Sequence, residues 1–148
     1  MLIDERLILK DMLGELIYEQ KGKVTGQRVL DVSPPRVETT FSATGSVKGG
    51  STVSEMGTYW SEARSPGILY GEVIGTTMTN DGTEVATWKG GGIGRMSAGK
   101  VSFRGSLFLK TLSIAEGGKL SSLNNMVAVF EYEADETGSC FTKSWEWK

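Results

Sequence analysis

Three alternating runs in succession, Ile68 to Thr79, Glu84 to Arg95 and Lys100 to Thr111, constrain this chain more than any other feature. Asn80-Asp81-Gly82 separates the first pair and Met96-Ser97-Ala98-Gly99 the second. Asp-Gly between runs of period two is the strongest short-range signal of a β-hairpin, because the turn needs residues that tolerate positive φ. The stretch therefore predicts three antiparallel strands in a row.

The flanks repeat the pattern. Glu15 to Gln20 reads as a short strand, Lys21-Gly22-Lys23 as a turn and Val24 to Val32 as a second strand. Ser33-Pro34-Pro35 breaks the pairing, since neither proline can donate to a ladder. Arg36 to Val47 and Thr52 to Glu62 follow, joined by Lys48-Gly49-Gly50, and Arg64-Ser65-Pro66-Gly67 leads into the central runs. After Thr111 comes one long connection, Leu112 to Asn125, with a tip at Ala115 to Lys119. A connection of this length is either functional or a cover over one end of the sheet. Met126 to Ala134 and Ser139 to Trp147 complete eight or nine strands, with a turn at Asp135 to Gly138. Residues 1–13 read as a short amphipathic helix or an extended arm, and 14–148 as one β domain.

Regular spacing with short turns predicts an all-β architecture, a single antiparallel up-and-down barrel of about eight strands. Closure removes the sheet edges that would otherwise invite aggregation. Glycine supports this: 20 of 148 residues are Gly and only 3 are Pro, the balance of coiled sheet and not of a flexible linker. Met126-Val127-Ala128-Val129-Phe130 is apolar on both faces, as is much of Ile68 to Ile74. A strand buried on both sides needs an outer cover, so a homo-oligomer, or the N-terminal segment folded over the barrel, is expected.

Composition excludes several kinds of chemistry. The chain has no histidine and one cysteine. That removes Ser-His-Asp and Cys-His catalysis, His-based metal sites and ordinary structural zinc. No cofactor or metal is expected. The net charge of −2 offers no basic field for nucleic acid or an anionic membrane. No apolar run reaches the ~18 residues of a spanning helix. Acidic residues come early in Met1-Leu2-Ile3-Asp4-Glu5-Arg6, unlike a signal peptide. The expected location is cytoplasmic.

What remains are carboxylates, cations and aromatic rings. Glu72, Glu131 and Glu146 sit inside β-prone runs, and Arg104 lies mid-strand. Inside a lumen they would form a buried acid with a cation, and a desolvated carboxylate can serve as a general acid or base. Outside, they would be solvated or paired across strands. Tyr59, Tyr70, Trp88, Tyr132 and Trp145 are candidates for an aromatic lining, and Gly71, Gly75, Gly90, Gly92, Gly94 and Gly105 subtract side-chain volume nearby. Gly90-Gly91-Gly92-Ile93-Gly94-Arg95 lacks the third glycine and the helix of a phosphate-binding fingerprint, and reads as a bent strand. Cys140 has no neighbouring cation in sequence and reads as a small buried residue.

Met56-Gly57-Thr58-Tyr59-Trp60, Leu69-Tyr70-Gly71-Glu72, Asp81-Gly82, Ala86-Thr87-Trp88, Arg104-Gly105, Leu123-Asn124, Phe130-Glu131-Tyr132-Glu133 and Trp145-Glu146-Trp147 together resemble a small uncharacterised prokaryotic family. Its barrel is similar to the allene oxide cyclase type, which is calycin-like. Thr83 departs from the pattern as an added residue in the central turn. The resemblance implies the barrel and carries no catalytic residues.

The expected function is a non-enzymatic barrel that binds a small apolar or amphipathic ligand in its lumen. The alternatives are an isomerase- or cyclase-type enzyme using a buried carboxylate, and a filled barrel acting as an oligomeric interaction module.

Overall fold

A computed structural model describes residues 13–112 and 118–147. All but the last residue of the expected N-terminal arm over 1–13, and 115–117 of the expected loop tip over 115–119, lie outside the described residues. Eight strands, β1 (Leu13–Val32), β2 (Pro35–Val47), β3 (Thr52–Ser65), β4 (Ile68–Thr79), β5 (Val85–Ser97), β6 (Lys100–Thr111), β7 (Met126–Ala134) and β8 (Ser139–Trp147), follow one another around a closed barrel. Every neighbouring pair is antiparallel, and β1 closes the ring by pairing with both β2 and β8.

The hairpin turns fall where the sequence places them. In the central one, the Thr79 N–H donates to the Glu84 carbonyl at 3.0 Å. Gly82 holds φ at +74°, a value that costs L-residues with a Cβ. Asp81 Oδ1 accepts from the hydroxyls of Thr79 and Thr83, both at 2.7 Å. These bonds hold its carboxyl well below the usual carboxylate range, with Thr79 the leading cause.

The expected turn at Lys21-Gly22-Lys23 is absent. β1 runs through it without a break, and this reduces the strand count to eight. A Cβ at Gly22 would run into the Ser42 carbonyl and Ala43, so this glycine serves the close approach of β2 and not a reversal. β1 shifts register between Val24 and Gly26. Its pairing with β8 ends at Lys23, opposite Ser139. From there the β1–β2 hairpin continues past the rim, leaving Val29 and Val32 exposed.

Inward positions alternate along each strand: Phe41 and Ala43 on β2, Phe103, Leu107 and Leu109 on β6, Ala128, Phe130 and Tyr132 on β7. Each large apolar side chain so buried contributes roughly 1.5–3 kcal/mol. Val127 and Val129 face outward and are half-buried. The connection after β6 covers one end of the barrel. Its 3-10 turn, Ser121–Leu123, follows Leu120, and Leu120 and Leu123 are fully buried. Glu84 holds the segment in place, its two carboxylate oxygens accepting from the backbone N–H groups of Lys119 and Leu120, each at 3.0 Å.

Candidate functional site

Aromatic rings fill most of the lumen. Tyr59 and Phe103 meet edge to face at 5.6 Å, Tyr59 and Tyr132 at 5.4 Å, and Phe41 stacks near Trp88 at 6.5 Å. The inward glycines make this possible. A Cβ at Gly75 would fall inside the Trp88 ring, one at Gly57 would strike Phe41 and Trp88, and one at Gly94 would strike Phe103. The volume these positions give up is therefore occupied by rings, contrary to the expectation that it stays open. Gly90 and Gly105 instead let neighbouring strands approach, since a Cβ there would meet the Ser106 and Gly91 carbonyls. Gly71 and Gly92 do line free space.

The lumen also holds a carboxyl absent from the residues expected to bind ligand. Glu55 on β3 is 3% exposed. The Thr77 hydroxyl on β4 donates to its Oε2 at 3.0 Å, and the Trp88 indole N–H on β5 donates to the Thr77 oxygen at 3.0 Å. This relay spans three strands and points its donors at the carboxyl. Burial pushes the Glu55 pKa up to about 8; the Thr77 bond and the Gln20 amide beside it pull the other way. Neither end of that amide closes a hydrogen bond of ordinary geometry, although Gln20 is fully buried. At neutral pH Glu55 therefore carries a proton. The ion pairs among the described residues all lie elsewhere, so no Lys or Arg among those residues is paired with this carboxyl.

Of the free spaces that adjoin the rings, two lie on the lumen side. The inner one, of about 40 Å³, is bounded by Glu55, Tyr18, Phe41, Val73, Trp88, Leu107, Phe130, Tyr132 and Thr142. With ~10–15 Å³ needed per water, it holds about three or four water-sized groups. The outer one, of about 300 Å³, is lined by Gln27, Pro35, Val37, Thr39, Ala63, Leu69, Met96 and Val101. It lies at the rim opposite the Leu120–Leu123 plug and reaches the lower end of the ~300–1,000 Å³ range of small-molecule sites. Tyr59 and Phe103 line both spaces. The Tyr59 and Tyr132 hydroxyls share a hydrogen bond of 3.4 Å, and burial raises the pKa of each phenol.

Of the residues expected to bind ligand, Tyr59, Trp88 and Tyr132 face the lumen. Tyr70, Glu72, Arg104, Glu131 and Trp145 project from the outer face, because alternation there runs opposite to the inward Gly71, Phe103, Tyr132 and Ser144. Glu72 contributes only a segment of wall beside Gly71, and its carboxylate accepts from the Tyr70 hydroxyl at 2.9 Å. Arg64 stacks over Tyr70 at 4.2 Å. Arg104 and Glu131 form an exposed ion pair at 3.6 Å, a cross-strand pairing on the outer face. Glu146 has inward parity opposite Ala128 but sits half-buried near the end of β8. Cys140 is buried as expected, and burial raises its thiol pKa. The buried acid is thus Glu55. Its signal was the alternation itself, which puts Glu55 on one face with Val53, Gly57 and Tyr59.

Fold and site define a closed eight-stranded antiparallel barrel with an aromatic lumen around a protonated carboxyl. No protein-family model and no curated protein matches the chain. Among solved structures, a protein of unknown function from Clostridium acetobutylicum matches at TM-score 0.70 and 15% identity, over 90% of this chain and 98% of its own. A conserved protein of unknown function from Rhodopseudomonas palustris matches at 0.69 and 11%, over 89% and 95%. A β-barrel-like protein from Acinetobacter baumannii matches at 0.65 and 18%, over 90% and 96%. At these identities the likeness is one of fold.

Proposed function

We propose that this barrel binds a small apolar or amphipathic ligand, which enters at the open rim and lies in the outer space against Tyr59 and Phe103. The observation that carries the reading is the asymmetry of the lumen. One end is sealed by Leu120 and Leu123, while the other keeps about 300 Å³ of largely apolar, concave space. Thr39 and Gln27, joined at 3.1 Å, place a polar pair at that rim.

N-phenyl-1-naphthylamine, a neutral fluorescent probe, tests this. Wild-type protein should take it up with a blue-shifted emission, and Ala63→Trp, which fills the space, should abolish uptake. Equal uptake by the variant would refute the assignment. No uptake by either would leave the filled-barrel interaction module as the better account.

A second reading, proton-transfer chemistry of the isomerase type, is favoured by Glu55 alone, in the role expected of Glu72, Glu131 or Glu146. The allene-oxide-cyclase-like, calycin-like kinship belongs to the proposal as well, supported by the sequential closure of eight strands. Cyclase activity does not follow from it, because one fold hosts many functions. The homo-oligomer is supported by Met56, Ile74 and Phe108, which are exposed on the outer faces of β3, β4 and β6. A cytoplasmic location is supported by a lone buried thiol with no disulfide partner.

A further inference from the structure

The inner space has a composition that the binding reading alone does not explain. Its rings include Phe41, Tyr59, Trp88 and Tyr132, and its one inward carboxyl is Glu55. Among the described residues no cation pairs with that carboxyl. Aromatic faces attract cations through their quadrupole, most strongly where water is excluded. The hydrogen-bond relay has a direction. The Thr77 oxygen already receives the Trp88 N–H, so the Thr77 proton goes to Glu55 Oε2. Donors aimed at a carboxyl favour its ionised form. The buried Gln20 amide beside it is unpartnered at both ends.

Resting on the lumen-binding reading, we propose that the inner space is a head-group subsite for an organic ammonium ion, with Glu55 as counter-ion and the surrounding rings as its box. Room for about three or four water-sized groups suits an ammonium and its first methylenes. Tyr59 and Phe103 line both spaces, and the proposal places the alkyl chain beside these rings, toward the apolar rim.

The assignment carries a proton balance. In the free protein burial keeps Glu55 protonated, its pKa near 8. When an alkylammonium enters at pH 7, the carboxyl proton passes to solvent and a carboxylate–ammonium pair remains. Among the described residues, Tyr18 on β1 and Cys140 on β8 couple electrostatically to Glu55, and Tyr59 and Tyr132 line the same space; burial raises all four, which are neutral at that pH. Its cross-strand neighbours Ala43 on β2 and Thr77 on β4 bring no charge.

Calorimetry of the full chain with n-hexylammonium and 1-hexanol, in two buffers of different ionisation enthalpy at pH 7, tests it. The expected result is release of about one proton per hexylammonium bound and none with hexanol. Glu55→Gln should weaken hexylammonium at least about tenfold, as loss of a close charge pair does, and leave hexanol unchanged. Hexylammonium binding without proton release, or equal binding to Glu55→Gln, would overturn the subsite. Uptake of the neutral naphthylamine without any hexylammonium binding would overturn it while sparing the lumen reading. Failure of every probe would remove both.

Discussion

Glu55→Gln keeps the side-chain volume and a carbonyl to accept from Thr77, while removing the titration. Unfolded, Glu55 loses its proton near 4.5; folded, burial holds the proton to about 8. Between those values the native state binds a proton that the unfolded chain releases, so stability must fall as pH rises. With ~1.4 kcal/mol per tenfold change in proton affinity, the loss approaches roughly 4–5 kcal/mol by pH 8. That is a large share of the ~5–15 kcal/mol that stabilises a typical domain. Urea unfolding from pH 5 to pH 9, followed by tryptophan fluorescence, should show wild type and variant within about 1 kcal/mol at pH 5. The variant should then gain steadily, by several kcal/mol at pH 9. Other titrating groups are common to both proteins and cancel in the difference. A difference that stays flat with pH would show that Glu55 is not protonated in the fold and would refute the proton balance assigned to it.

Gly75→Ala puts a methyl into the Trp88 ring and should cost about 1–3 kcal/mol or more, as overpacking does, with a shifted Trp emission. Glu84→Gln weakens two bonds that fasten the plug at Lys119 and Leu120. Hydrogen exchange at those amides should accelerate, with a loss of about 1–3 kcal/mol. Arg104→Ala removes an exposed pair with Glu131 and should change the unfolding free energy by less than about 1 kcal/mol.

Turns were the most legible part of this chain. Gly67, Gly82, Gly99 and Gly138 all hold positive φ at hairpin ends, and such positions announce themselves through residue type alone. Gly22 misled for the same reason. A glycine flanked by lysines looks like a reversal, yet what requires it is the approach of Ser42 from a strand about twenty residues away, a demand with no local trace. The rings were legible as core, but which glycines face them depends on register across β3, β4 and β5. Glu72 and Glu131 drew attention because apolar residues surround them. On β7 those neighbours include the outward Val127 and Val129, so local hydrophobicity reported a doubly covered strand and not an inward acid. Glu55 lies between Ser54 and Met56, in an unremarkable setting. Only strict alternation from Val53 to Tyr59 pointed it inward, against the general tendency of glutamate to face water.

Because each strand simply follows the last, successive reversals alternate between the two rims. Those after β2, β4 and β6 gather at the end covered by Leu120 and Leu123, and those after β1, β3, β5 and β7 at the opposite rim. That rim is thus framed by four short links, none of which contributes to the cover. Their length and chemistry can drift, by evolution or by engineering, while the opposite cap keeps the cylinder shut. A scaffold of this kind can remodel one rim without relearning how to fold.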